Sequence, residues 1–337
     1  MQTTSSLTET DINASLDKLD LVSDEIGKVI VGQHTVVQQL MISLLAGGHC
    51  LLEGVPGLAK TLMVSSLADA LAMDFKRIQF TPDLMPSDII GTEILETDHA
   101  SGERFFKFQK GPVFTQILLA DEINRTPAKT QAALLEAMQE RHVSYAGEQH
   151  DLPKPFFVLA TQNPVEQAGT YPLPEAQLDR FLMYVKVSYP SYDEEIEILQ
   201  RTTGASSSSL EAQLSGEELL DLQRIVRQVE ISQAMMAWAV DLVQQTRPQT
   251  SSNSMVKEYV QWGAGPRCGQ ALVLCAKAHA LIQRRFAVTK EDIEAVAPAV
   301  MRHRLLLNFQ AEAQAIDVDS IISHLLTNVS VAPSPID

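Results

Sequence analysis

The sequence predicts an α/β fold class: an αβα sandwich around a largely parallel sheet, followed by an all-α domain. Three observations carry this expectation. Short apolar runs recur across the first 190 residues, at 50–52, 76–80, 117–120, 156–161 and 184–187, with helix-like stretches between several of them. Such alternation is the pattern of parallel strands joined by crossover helices. A glycine-bearing loop and a helical stretch follow the first run at once. After Tyr192 the strand signal stops, and residues from about 214 to 326 read as helices.

Residues 1–10 are polar and expected to be loose. Over 11–29, Leu16, Leu19, Val22, Ile26 and Val29 step by three or four, as on one face of an amphipathic helix. A second apolar helix, 36–45, passes through Gly47 and Gly48 into the first strand. Helix 60–71 follows the glycine loop. Beyond the last strand, 201–209 is serine-rich and reads as flexible. Thr289 and Asp292 form a capping box ahead of Ile293, Val296 and Ala297. The class of structure changes near residue 190, giving a core over 11–190 and a helical domain over 195–328. Residues 329–337, with Pro333 and Pro335, read as a loose tail.

A chain of 337 residues holds one large domain or two ordinary ones. Apolar residues make up 45% and charged residues 20%, a globular rather than disordered composition. Lys and Arg number 26 against 42 Asp and Glu, a formal charge of −16. So acidic a surface repels phosphate backbones and counts against sequence-independent nucleic-acid binding. Cys50, Cys268 and Cys275 are too few and too scattered for a disulfide framework, and they lack the close pairs of a zinc site. No apolar run approaches the roughly 18 residues of a membrane span. The first twenty residues have neither a basic nor an apolar signal region. A cytoplasmic location is the expectation.

The loop Gly54, Val55, Pro56, Gly57, Leu58, Ala59, Lys60, Thr61, running into Leu62, lies between a predicted strand and a predicted helix. That is the setting of a phosphate-binding loop. Glycines let backbone N–H groups turn toward phosphate oxygens, and the helix N-terminus adds the positive end of its dipole. Lys60 would then reach the β- and γ-phosphates, and the Thr61 hydroxyl would bind Mg²⁺. Ala59 stands where a glycine is usual, which fits if its φ is negative. Taken alone, the loop also reads as a glycine-rich turn with a chance lysine.

Two further strand ends decide between these. The run 116–120 ends in Asp121 and Glu122, the form of a Walker B strand. Asp121 is placed to hold Mg²⁺ through water, and Glu122 to polarise the attacking water. The run 156–161 leads to Asn163, placed to orient that water opposite the γ-phosphate. Singly these read as strands meeting solvated turns. Three in this order and spacing predict a hydrolysing P-loop nucleoside triphosphatase.

Residues 54–61, the segment from Asp121 to Gln131, the pair Asn163 and Pro164, and the segment from Leu173 to Phe181 resemble the MoxR family of AAA+ ATPases. That family's loop carries the same alanine. The resemblance runs from about residue 20 to 325. It implies an AAA+ core with a helical lid, and ATP with Mg²⁺ bound where the two meet. Val31, Gly32 and Gln33 match the segment that packs on adenine. Arg180 matches the arginine finger, which enters a neighbouring subunit's site. Arg267, after Gly265 and Pro266, matches the second sensor in the first turn of a lid helix. Arg125 could lie at a subunit interface.

The resemblance also implies inserts shared with magnesium chelatases and replicative helicases. Near 85–110, candidate strands 92–96 and 104–108 flank a turn at 98–102. Residues 143–152 read as a hairpin centred on Gly147, with Tyr145, Glu148 and Asp151 toward its end. Such hairpins face a ring pore or a client. The implied activity is ATP hydrolysis in a homo-oligomeric ring, a hexamer in the family. The implied role is chaperone-like maturation of a protein complex, with a von Willebrand factor A domain protein as partner and no nucleic acid. A magnesium-chelatase-like motor subunit, a nucleic-acid motor and a nucleotide-gated scaffold are the alternatives. Several features are set aside: the scattered histidines, Met235, Met236 and Trp238 as core, Cys268 as packing, 194–197 as a solvated helix start, and Arg302, His303 and Arg304 as a solvated basic end.

Overall fold

The computed structural model describes residues 9–97, 104–164, 169–204 and 209–331. Helices α1 (Glu9–Val29) and α2 (His34–Leu45) precede β1 (Cys50–Glu53), and α3 (Lys60–Ala70) leads to β2 (Phe75–Gln79). An insert follows, with α4 (Pro86–Ile90) and hairpin strands β3 (Gly91–Thr97) and β4 (Arg104–Lys110). Strand β5 (Ile117–Asp121) runs through a 3₁₀ turn, Ile123–Arg125, into α5 (Ala128–Glu140). A second hairpin, β6 (His142–Tyr145) and β7 (Glu148–Asp151), precedes β8 (Phe157–Gln162), α6 (Glu175–Leu178) and β9 (Met183–Lys186).

Five of these strands form one sheet in the order β2-β5-β8-β1-β9, parallel throughout. Both faces are covered, which is why the strands read as continuous apolar runs rather than alternating ones. The pleat still sorts them. Cys50, Leu52, Ile117, Leu119, Phe157 and Leu159 join the core beneath α1, α2, α3 and the helical domain. Leu51, Leu118, Ala120, Val158 and Ala160 join the core that includes Leu134, Leu135 and Met138 of α5. The predicted amphipathic face of α1 is buried through Leu16, Leu19, Val22 and Ile26.

The helical domain comprises α7 (Tyr192–Thr203), α8 (Gly216–Gln228), α9 (Gln233–Gln245), α10 (Ser254–Tyr259), β10 (Val260–Trp262), α11 (Pro266–Ile282) and α12 (Lys290–Met301). It closes with a 3₁₀ turn (Arg302–Arg304), β11 (Leu306–Leu307), α13 (Phe309–Ala313) and α14 (Val318–Asn328). The capping box at Thr289 and Asp292 forms as expected. It also anchors a larger ion network, because buried Asp292 binds Arg285 through both oxygens and His279 at 2.6 Å.

Four expectations are corrected here. The helical domain is not free of strands, since β10 and β11 pair antiparallel; strands of two or three residues carry no periodic signal. Arg201, Thr202 and Thr203 are not flexible but complete α7, where Arg201 donates to the carbonyls of Gly27 and Lys28. Residues 205–208 of that stretch, the turn 98–102 and the tail beyond 331 lie outside the described residues. Met236 is 42% exposed, while Trp238 on the same helix is fully buried. Tyr145 packs on Phe108 of the first insert, and His150 stacks on the same ring, so the two hairpins support each other.

The fourth correction is the largest. Arg302, His303 and Arg304 are no solvated helix end. Arg304 is 4% exposed at its side chain and bonds Asp179 at 2.7 Å, together with the carbonyls of Phe181, Leu182 and Val300. His303 bonds the Phe181 carbonyl, and Arg302 bonds the Tyr184 carbonyl and Asp319. The turn therefore clamps the segment that enters β9.

Two buried imidazoles make the fold acid-sensitive. His49 accepts the Val158 N–H at Nδ1 and so donates from Nε2 to the Met138 carbonyl, joining β8 to α5. Burial pushes its pKa down to about 4. His303 is held well below the usual histidine range by burial and the adjacent Arg304. Between pH 6.5 and 4 the unfolded chain binds the His49 proton and the native chain does not, so native stability rises with pH in that window. His49 alone accounts for about 3 kcal/mol across it. Urea midpoints should fall from pH 7 to pH 5, and fall less in His49→Gln; equal falls would refute the assignment.

Candidate active site

The central strands β5, β8 and β1 are neighbours, so their C-terminal ends converge. In an open parallel sheet that edge is where ligands bind. The loop 54–59 leaves β1 there and enters α3 at Lys60. Gly57 has φ +87°, and a Cβ added to it would meet nothing within 4 Å, so the loop's backbone is open on that side. Gly54 is needed for a different reason: a Cβ there would lie 3.0 Å from the Val187 side chain.

Ala59 departs from expectation. Its φ is +51°, in the left-handed region, not negative. The α3 N-terminus must follow the turn at Gly57, and the methyl group is tolerated because the residue is exposed. A non-glycine residue there costs about 1–2 kcal/mol. Ala59→Gly should raise stability by about 1 kcal/mol net of the added chain entropy, read as a higher urea midpoint. A lower midpoint would show that the turn is not strained.

Lys60 folds its Nζ onto the carbonyls of Gly54 and Val55. Its pKa is lowered chiefly by burial, and Asp121, Glu122 and Glu53 oppose that shift. Asp121 is nearly buried and doubly held. Thr161 donates its hydroxyl to Oδ1 at 2.6 Å, and Arg77 donates from Nη2 at 2.6 Å and Nε at 3.1 Å to Oδ2. Glu122 has φ +59°, and its N–H donates to Thr161 Oγ1 at 2.8 Å. Gln79 donates to Glu122 Oε2 at 2.6 Å, and Arg125 lies 3.1 Å from the same oxygen. A left-handed non-glycine residue held this way is local strain stabilised by its surroundings. Asn163, one residue beyond β8, is buried.

Arg77, Gln79 and Thr161 escaped sequence reasoning. The legible signal was period two: Arg77 and Gln79 share one face of β2, which pairs with β5 in the register Gln79 to Asp121. The donor set suits Mg²⁺ with a nucleoside triphosphate: a hydroxyl at Thr61, a carboxylate at Asp121, an ammonium at Lys60 and the free N–H groups of a helix start.

The adenine-matching segment stands next to the loop. Gly32 has φ +65° in the turn between α1 and α2. Val31 is buried, and Gln33 donates to the Ser188 carbonyl at 2.8 Å, one residue beyond Val187. Arg180 and Arg267 sit elsewhere. Both line a cleft with Asp179, Arg304 and Arg141, of about 310 Å³, that includes none of Gly54–Leu62, Asp121, Glu122 or Asn163. Arg267 occupies the first turn of α11 behind Pro266, 4.0 Å from Asp179. Asp179 is taken by Arg304, and Arg180 makes no ion pair among the described residues.

Comparison with known proteins gives a consistent picture. The family model for ATPases associated with various cellular activities (AAA) matches residues 49–183, and that of the AAA lid domain matches 252–325. The chain is 44% identical to the chaperone MoxR1 of Mycobacterium tuberculosis, over 94% of this chain and 83% of that one. It is 43% identical to the uncharacterised protein YeaC of Bacillus subtilis, over 91% and 93%. It is 31% identical to the protein MoxR of Methylorubrum extorquens, over 84% and 86%. A crystal structure from Cytophaga hutchinsonii, of a chain assigned provisionally as an ATPase, superposes with TM-score 0.89 at 43% identity, covering 96% of this chain and 98% of that one.

Proposed function

The chain belongs to the MoxR family of AAA+ ATPases, and from that premise we propose that it hydrolyses ATP with Mg²⁺ in a ring of identical subunits. The observation that carries this is the convergence of Lys60, Thr61, Asp121, Glu122 and Asn163 at three adjacent strand ends. Lys60 and the α3 N-terminus would bind the phosphates. Thr61 and Asp121 would hold Mg²⁺, which supplies charge neutralisation between the phosphates when bound. Glu122 takes a proton from the attacking water, and Asn163 orients that water. Arg77 and Thr161 fix the Asp121 carboxylate by hydrogen bonds to both of its oxygens, which orients it as a cation ligand.

Arg180 and Arg267 share a cleft apart from their own chain's loop, which supports both acting on the neighbouring subunit's ATP. A guanidinium supplied across an interface couples hydrolysis to assembly. The role we infer is chaperone-like: lid motion against the core does work on a protein complex, with a von Willebrand factor A domain protein as partner. Nucleic acid is a poor fit to a net charge of −16.

The test is the ATPase rate per protomer against protein concentration, with and without Mg²⁺. It should rise over the range in which light scattering reports ring formation, and vanish with a chelator. A rate that is flat with concentration would overturn the ring mechanism.

A further inference from the structure

Helix α7 has an apolar stripe that none of the described residues covers. Tyr192, Ile196 and Leu199 recur at i, i+4 and i+7, so they share one face. They are 78%, 39% and 61% exposed, and no residue of the helix is buried. Asp193 and Glu195 flank the stripe. The opposite side is pinned to the core by Arg201, through the Gly27 and Lys28 carbonyls.

The helical domain has a matching concavity. Between α9 and α11 runs an open groove of about 830 Å³, floored by Met236, Val240, Val243, Val273 and Leu274. Arg227, Arg247 and Lys277 stand along it, and no carboxylate is among its lining residues. In a chain with 42 acidic residues against 26 basic ones, that is a marked local inversion of charge. The groove thus fits an acidic amphipathic helix, the recognition mode in which apolar anchors at i, i+4 and i+7 enter a groove.

We propose that α7 of one copy seats Tyr192, Ile196 and Leu199 in the α9–α11 groove of the next copy. The inference rests on the ring reading above, in which one copy's α7 would face the next copy's groove. The groove shares Gln270 and Leu274 with the cleft holding Arg180 and Arg267. Helix α7 starts beside the nucleotide-binding segments: Ser188 binds Gln33, and the Glu194 carboxylate lies against Gly32, where an added Cβ would sit 2.0 Å from Oε1. Delivering the arginine cleft of one copy to the phosphate loop of the next therefore carries the groove toward that copy's α7. A contact between two different patches is heterologous, the kind that closes into a ring when the rotation allows.

Single introduced thiols test this on full-length chains. Leu199→Cys and Val240→Cys are surface changes, and native Cys50, Cys268 and Cys275 are buried and do not compete. One variant carries a mass tag, and the two are mixed with Mg²⁺ and ATP and treated with a short bismaleimide. The expected product is a covalent dimer with one chain of each kind, absent when either variant is treated alone. Dimers of Val240→Cys chains with themselves would place groove against groove and overturn the proposal. No mixed dimer from mixtures that form rings by light scattering would overturn it while leaving the ring intact. No ring, with a concentration-independent rate, would remove both. Charge reversal gives a second reading: Glu195→Lys should raise the concentration for half-maximal ATPase by about tenfold, and adding Lys277→Glu should reverse that. Failure of the second change to restore assembly would count against the pairing.

Discussion

Arg180→Ala is expected to lower the ATPase rate per protomer by about 10³-fold or more, the scale on which arginine fingers act in P-loop enzymes. The fold should survive, because the side chain is half-buried and forms no ion pair among the described residues. ATP binding should survive as well, since the cleft that Arg180 lines includes no residue of its own chain's loop. The decisive form of the experiment is a mixture. Arg180→Ala chains keep Glu122, and Glu122→Gln chains keep Arg180. If the arginine acts across the interface, mixed rings contain sites built from Glu122 of one chain and Arg180 of the other, and activity returns to two inactive preparations. Wild-type activity in Arg180→Ala alone would refute the assignment. Inactive mixtures that nonetheless co-assemble would place Arg180 in its own chain's site.

Glu122→Gln should reduce the rate by about 10²–10³-fold while ATP binding is retained, measured by fluorescent-nucleotide titration and phosphate release. The substitution is nearly isosteric, and the surroundings accept it. Gln79 and Arg125 both approach Oε2, and an amide oxygen accepts from both. The backbone N–H bond to Thr161 is untouched. Only the capacity to take a proton is lost. An undiminished rate would exclude Glu122 as the base. Loss of nucleotide binding would mean that the carboxylate shapes the site instead.

Most of the core was legible because its signals are local. Strand β5 is announced by four apolar residues before two carboxylates, α1 by its three-and-four spacing, the phosphate loop by Gly54, Gly57 and Lys60, and α12 by Thr289 and Asp292. Each signal lies within a few residues, where helix and strand periods and loop chemistry are written directly in the order of side chains. The positions of Lys60, Asp121, Glu122 and Asn163 follow, because a parallel sheet with short βα loops must bring those strand ends to one edge.

What the sequence could not decide were pairings between distant segments. Arg304 meets Asp179 across 125 residues, and Arg77 meets Asp121 across 44. A run such as Arg302, His303 and Arg304 looks the same in sequence whether it ends in water or is buried against backbone carbonyls. Only the docking of the helical domain on the core desolvates it and turns three basic residues into a clamp on the segment that carries Arg180. Ala59 is a similar case: residue type disfavours positive φ by a kcal/mol or two, and the turn that must join β1 to α3 overrides it. The sequence by itself determined the elements and the chemistry at their ends. Tertiary packing decided which charges are buried, which stay free, and on which face of the molecule Arg180 and Arg267 stand, because those depend on contacts that exist only once the chain is folded.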